Sequence, residues 1–297
     1  MGSVFVYAGV KSTKFVDIGR VVADTGFLSN PALVGGSLLI LVAFLFKAAA
    51  FPFHAWVIDV YDGSPVPVTG FMATAVKTAI FAVFANFLVI NTDLKEGWVD
   101  YLFYISVLTM FVGNLIAIGQ NNLKRMLAAS GIVHTGYLII ALVAVNSEPF
   151  NGSIILFYLA AYAASTLGIF AALSYLGGKD EQRSSFDHFN GLARVRPYSA
   201  ACIAVFLLSM AGIPPTAGFM GKFYIIAGAF NGGYVTLGAL GIASSVLSMW
   251  YYLRLIIAMY FKEPAEDFQV TELTLAPLGT FVLALSVFVI SFIPIAL

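Results

Sequence analysis

Leu33-Val-Gly-Gly-Ser-Leu-Leu-Ile-Leu-Val-Ala-Phe-Leu-Phe-Lys-Ala-Ala-Ala-Phe-Pro-Phe53 decides the fold class. About 20 consecutive apolar residues cross the roughly 30 Å hydrocarbon core of a bilayer as a helix, and this run has that length. It nevertheless holds Lys47 and Pro52, a charge and a helix breaker, in its second half. Outward from it, similar runs appear near 66–90, 98–119, 124–145, 150–176, 198–230, 234–261 and 273–296. Their connections are short and polar, apart from 177–197. The reading is an all-α, polytopic transmembrane helix bundle of about eight passes, occupying 33–297.

Composition agrees. Hydrophobic residues make up 60% and charged residues 10%, against about 25% charged in soluble domains. The 15 basic and 15 acidic residues cancel, which gives no basis for a nucleic-acid partner; the partner implied is the lipid bilayer. Cys202 is the one cysteine and reads as a small buried hydrophobe. Glycine-rich phosphate loops, paired catalytic carboxylates and metal-ligand spacings are absent, so no cofactor, metal site or redox centre is expected in this chain. Residues 1–32 read as the tail of an apolar span, too short to cross a bilayer, followed by a polar connection; the expectation is that further helices precede them.

Orientation follows from lysine and arginine counted by loop, because cytoplasmic loops carry the excess. Lys124, Arg125, Lys179, Arg183, Arg194, Arg196, Arg254 and Lys262 fall on one side, and Lys95 stands alone on the other beyond the first thirty residues. That places loop 177–197 in the cytoplasm and the C-terminus opposite.

Two runs look interrupted. Pro52 follows Lys47, and Pro214-Pro215 lie inside 198–230, a run too long for one straight helix across a bilayer. Proline removes a backbone donor and clashes with the preceding turn, and open backbone at membrane depth is tolerated only against protein or water. Paired broken helices point to a transport path. The charges sharpen this: every acid sits in a connection or at a span end, whereas Lys47, Lys77 and Lys222 sit inside apolar runs. A lysine at the bilayer centre costs about 2.5–3.5 kcal/mol, and unlike arginine it can be brought to release its proton. The alternative for each lysine is snorkelling to the interface. Lys222 lies two helical turns after Pro215, on the same side. His54 and His134 are candidates for relay or for packing, while His188 in the charged loop reads as solvated. Asp59 and Asp62 fit either a proton entry mouth or a turn or helix cap.

The stretch Phe46-Lys-Ala-Ala-Ala-Phe-Pro-Phe-His-Ala-Trp-Val-Ile-Asp-Val-Tyr-Asp-Gly-Ser-Pro-Val-Pro-Val-Thr-Gly-Phe71 resembles the lysine-helix motif of the antiporter-like membrane subunits of respiratory complex I, the proton-translocating NADH:quinone oxidoreductase, and its Asp59-Val-Tyr-Asp-Gly63 form is similar to the N type. Asn121-Asn-Leu-Lys-Arg-Met-Leu127, Ile132-Val-His-Thr-Gly-Tyr137, Leu208-Ser-Met-Ala-Gly-Ile-Pro-Pro-Thr-Ala-Gly-Phe-Met-Gly-Lys-Phe-Tyr224 and Tyr251-Tyr-Leu-Arg254 extend the resemblance over nearly the whole chain, in order. It departs at Ile58, where the family usually has proline.

The resemblance implies two inverted five-helix repeats, the first incomplete here, in a bacterial inner membrane. It implies a proton channel in which Lys47 is the central lysine, Lys77 the connecting one and Lys222 the terminal one. NADH, FMN, iron–sulfur clusters and quinone belong, on this reading, to partner membrane and peripheral subunits. The family's glutamate partner for Lys47 lies upstream of this chain, so the carboxylate is expected from elsewhere. A subunit of a sodium/proton antiporter complex, or a non-pumping assembly subunit, are the alternatives.

Overall fold

The computed structural model describes residues 1–26, 30–144, 152–177, 184–264 and 276–293, without the side chains of Thr92, Asp93 and Ala276. Two short helices, α1 (Gly2–Val10) and α2 (Phe15–Thr25), precede α3 (Pro31–Ala48). The stretch expected as a polar connection therefore contains a helix. Phe15, Ile18 and Val22 fall on one side of α2 at helical spacing; Ile18 and Val22 are buried, and Phe15 meets the edge of Phe87 at 5.2 Å. α1 packs along α3, where a Cβ at Gly36 would lie 2.6 Å from the Val6 nitrogen.

α3 starts where Asn30 Oδ1 accepts from the amides of Ala32 and Leu33, at 3.1 and 3.2 Å, with Pro31 in the first turn. This satisfies amides the helix leaves free and uses a residue preorganised for its first position. After the break come α4 (Ala55–Gly63) and α5 (Val66–Phe71), then a π-helical turn (Met72–Val76) leading without a gap into α6 (Lys77–Ile90). α7 (Thr92–Ile118), α8 (Leu123–Ala144) and α9 (Gly152–Leu176) follow. A 3₁₀ turn (Phe186–Phe189) and α10 (Leu192–Val195) lead to α11 (Pro197–Ala211), α12 (Ala217–Asn231), α13 (Val235–Phe261) and α14 (Ala276–Ser291). Among the described residues, six helical stretches are long and apolar enough to cross a membrane; α11 and α14 are shorter apolar helices. The run expected at 198–230 is two helices, and the span expected from 98 begins earlier, at Thr92.

α8 is the axis of the bundle. Every residue from Leu123 to Ala144 except Arg125 is buried, as expected of a helix apolar on all sides. Its close approach to α7 needs small residues, since a Cβ at Gly136 would stand 2.4 Å from Met110 Cγ and one at Gly113 2.9 Å from Val133 Cγ2.

The two breaks share one backbone pattern. α3 ends on Ala49, φ 58°, and α11 on Gly212, φ 81°, both left-handed. The amide of Ala50 reaches back to the Leu45 carbonyl at 2.9 Å and that of Ile213 to Leu208 at 3.0 Å, the hydrogen bond of a Schellman ending. Cis bonds Phe51–Pro52 and Pro214–Pro215 follow at the same spacing.

Candidate functional site

Each break exposes the last carbonyl of its helix, Ala48 in α3 and the equivalent Ala211 in α11. Thr135 Oγ1 of α8 donates to the Ala48 oxygen at 2.7 Å. At the second break an ammonium takes that place: Lys222 Nζ, from α12, donates to the Ala211 oxygen at 3.0 Å and to Ser245 Oγ of α13 at 3.3 Å. Lys222 thus meets the second break through this carbonyl. Pro214 and Pro215 build the turn that presents it.

Lys77 opens α6 immediately after the π-turn. Its Nζ donates to the Gly131 carbonyl of α8 at 2.5 Å and lies over the Tyr162 ring of α9, 5.2 Å from the centroid. Lys77 and Lys222 are only 6% and 4% exposed, so both have left the interface behind and snorkelling is excluded in this packing. No carboxylate of the described residues forms an ion pair with either.

His134 stands between them on α8. Nδ1 is 2.6 Å from Tyr158 Oη and Nε2 is 3.3 Å from Tyr252 Oη; Tyr252 Oη also makes a short hydrogen bond with Ser130 Oγ. The His134 ring lies 4.8 Å from that of Tyr162 and 6.5 Å from that of Tyr137. Lys222 Nζ in turn sits 5.1 Å from the Tyr137 centroid. Lysine, tyrosine, histidine, tyrosine and lysine thus form one row across the centre of the bundle. A cavity of about 10 Å³, lined by His134, Tyr158, Ser165, Ser209 and Gly218, joins the histidine to the second break and has room for about one water. Ser165 Oγ and Ser209 Oγ are 2.8 Å apart there, and the latter accepts from the Gly218 amide at 3.2 Å.

Chemically, this arrangement offers groups that can each give and take a proton in a water-poor interior: tyrosine hydroxyls bond His134 at both nitrogens, and the two lysines meet the row at tyrosine ring faces. A neutral imidazole bonded on both nitrogens suits transfer in either direction. The tyrosines were missed by sequence reasoning. Their signal was present: Tyr158, Tyr162 and Ser165 recur at i, i+4 and i+7 on an apolar helix, which places three hydroxyls on one face.

Other expected residues lie apart from this row. Lys47 is in the last turn of α3 with its side chain exposed, at the end of an apolar stripe that includes Leu39, Val42 and Phe46; no described residue bonds to it. Pro52 forms the turn beyond it. His54 stacks on Phe51 at 5.6 Å and leaves a buried Nδ1 without a partner; no hydrogen bond joins it to Lys47. Asp59 and Asp62 are neither turn nor cap residues. They project from α4 to the Arg125 guanidinium, 3.1 and 3.2 Å away, and Asp62 also accepts from Asn122 at 3.2 Å. His188 closes a capping box with Ser185. Among the described residues no group of three or more His, Cys, Asp or Glu side chains fits a metal ion.

The family model for the transmembrane part of NADH:quinone oxidoreductase and Mrp antiporters matches residues 1–248. The chain is 41% identical over 268 residues to NADH-quinone oxidoreductase subunit N of Trichlorobacter lovleyi, covering 90% of this chain and 55% of that protein. The chain thus spans about half the length of that curated relative. Among solved structures, a chain of respiratory complex I from Thermus thermophilus superposes with a TM-score of 0.81 at 33% identity, over 98% of this chain and 62% of that one. A chain of the Mrp complex from Dietzia shares the fold, with a TM-score of 0.86 at 18% identity over 98% of this chain and 61% of the other.

Proposed function

The chain belongs to the NADH:quinone oxidoreductase/Mrp antiporter transmembrane family, and on that premise we propose that it forms part of a proton-translocating membrane subunit of an NADH–quinone oxidoreductase. Lys77 and Lys222 hold and release protons, and His134 passes them between the two. One observation carries this reading: two lysines buried without a carboxylate face one buried histidine through shared tyrosine rings. At about 2.5–3.5 kcal/mol each on insertion scales, two such lysines are a poor way to build a bundle and a direct way to carry protons.

The electron-transfer centres, FMN, iron–sulfur clusters and quinone, belong on this reading to partner membrane and peripheral subunits. The basic end faces the cytoplasm of a bacterial inner membrane. Lys47 joins the path once a carboxylate from another segment or subunit packs on its exposed face, since a carboxylate within about 4–6 Å favours the charged lysine and its withdrawal favours release.

The test uses the assembled complex in sealed vesicles. Lys77→Ala and Lys222→Ala are expected to preserve assembly and lower the number of protons moved per electron; wild-type stoichiometry in both variants overturns the relay. Repeating the measurement in sodium-free medium separates proton transport from sodium transport, the alternative raised by the shared Mrp fold.

A further inference from the structure

The Tyr251-Tyr-Leu-Arg254 stretch contributes Tyr252 to the proton row, and its arginine has no place there. Arg254 lines an open cavity of about 440 Å³ at the basic end of the bundle, between α13 and the 3₁₀ turn. That size falls in the ordinary range of small-molecule sites, about 300–1,000 Å³.

The cavity has two chemistries, arranged along the membrane normal. Ser245 on α13 is level with the Lys222 amine. Nine residues on, at 1.5 Å per residue, Arg254 lies about 13 Å toward the basic end, and Lys262 stands about 25 Å away. Taking the Lys222 amine as the bilayer midplane puts the arginine at the edge of the hydrocarbon core, half of which is about 15 Å, and the lysine among the head groups. On the hydrocarbon side the wall is Trp250 and Leu253, exposed by 64% and 37%, while Ile257, 52% exposed, stands a turn beyond Arg254 toward the basic end. On the water side it is Asn121, Ser185, Asp187 and Lys262.

Arg254 is held firmly but not saturated. Its Nη2 donates to the Gln120 carbonyl and, at 3.1 Å, to Asn121 Oδ1, and the guanidinium lies 4.4 Å from the Phe186 ring centroid. A guanidinium has five N–H donors; those on Nε and Nη1 bond to no described residue. Lys262 Nζ stands 3.9 Å from Asp187 Oδ1, both side chains largely open to solvent. Two cations thus face one carboxylate around a cleft whose inner wall is greasy.

We infer that this cavity binds one aminophospholipid, its phosphodiester on Arg254 and Lys262, its amino group on Asp187, and an acyl chain along Trp250 and Leu253. Planar guanidinium donors match phosphate oxygens in pairs, and a tryptophan at the interface presents an apolar body with a polar edge. A free phosphate uses the cations alone and leaves the apolar wall bare. The site is separate from the proton row and stands whether or not that row pumps.

Native mass spectrometry of the purified chain tests it, after delipidation and titration with long-chain phosphatidylethanolamine, with glycerophosphoethanolamine lacking acyl chains, or with inorganic phosphate. One long-chain lipid is expected to bind per chain, with neither acyl-free compound displacing it. Lys262→Gln, at the exposed mouth, is expected to weaken binding roughly fivefold, the scale of one basic residue near a charged membrane surface, and Trp250→Ala to weaken it at least as much through the apolar wall it removes. Because Arg254→Gln also cuts the tie to Gln120 and Asn121, the two milder variants decide. Unchanged binding in both, displacement by inorganic phosphate, or an equal loss in Arg194→Gln, which removes a charge at the same end outside the cavity, overturns the assignment.

Discussion

Gly212 has φ 81° and lies so close to Lys222 that an added Cβ would meet its Cδ at 2.9 Å. Both facts forbid a side chain there, one through the backbone and one through the lysine path to the Ala211 carbonyl. Gly212→Ala is therefore expected to lower stability by about 1–2 kcal/mol and to displace the Lys222 amine. Ala49 occupies the equivalent place in the first break at φ 58°, already left-handed with a Cβ. Ala49→Gly is expected to be neutral or slightly stabilising, because relief of the left-handed penalty opposes the entropy glycine loses on folding. Thermal unfolding of the two variants in one detergent checks both signs, and equal losses would refute the difference. At this scale the lysines were legible and their neighbours were not. Lys222 meets the second break, but Pro215 lies in the turn before α12 and not on its helix, so the helical spacing between the two does not fix their faces. Lys47 and Lys77 look alike in sequence, each flanked by apolar residues, yet one is exposed and one buried. Apolar flanks say that a residue lies within a span; which side of the span packs against protein depends on the neighbouring helices.

The elements show why the bundle tolerates two openings at its centre. A broken helix leaves carbonyls that water would satisfy at a surface and that cost about 1–3 kcal/mol each when buried alone. In α3 the threonine hydroxyl of α8 meets this need; in α11 a lysine does, so there the structural donor and the proposed carrier are one group. Thr135→Val keeps the shape and removes the hydroxyl. It is expected to destabilise the chain by about 1–3 kcal/mol, while Thr135→Ser, which retains a donor, recovers most of the loss. Equal stability of the valine variant and the wild type would mean that the Ala48 carbonyl finds another partner. Sequence showed both breaks, since proline inside an apolar run has few other readings. It did not show the π-turn before Lys77, where Met72-Ala-Thr-Ala-Val76 has no breaker residue and the turn packs against α9. Nor did it show α2, which is too short to span and has three charges interleaved with its apolar positions.

At the scale of the molecule, the ion pairs that join separate stretches of chain share one end, while the local Arg20–Asp17 pair of α2 stands apart from them. Arg125 with Asp59 and Asp62, Arg194 with Glu263, and Lys262 with Asp187 all stand at one end, although they come from five separate stretches of chain. The opposite end has Asn231, at the C-terminus of α12, beside the start of α13, together with Lys95. A bundle whose loops had been assigned to the wrong sides would scatter these charges over both ends. The C-terminal residue lies outside the described residues, so α12 is the better marker for the far side. Cys202 is buried and is the one cysteine of the sequence, so Cys202→Ala leaves the chain without a thiol of its own. On that background Asn231→Cys is expected to react with a membrane-impermeant thiol reagent added to intact cells, and Arg194→Cys only after the cells are opened. The opposite pattern would invert the molecule in the membrane. It would also place the basic cavity at Arg254 on the outer leaflet, where it would have to draw its lipid from a different pool.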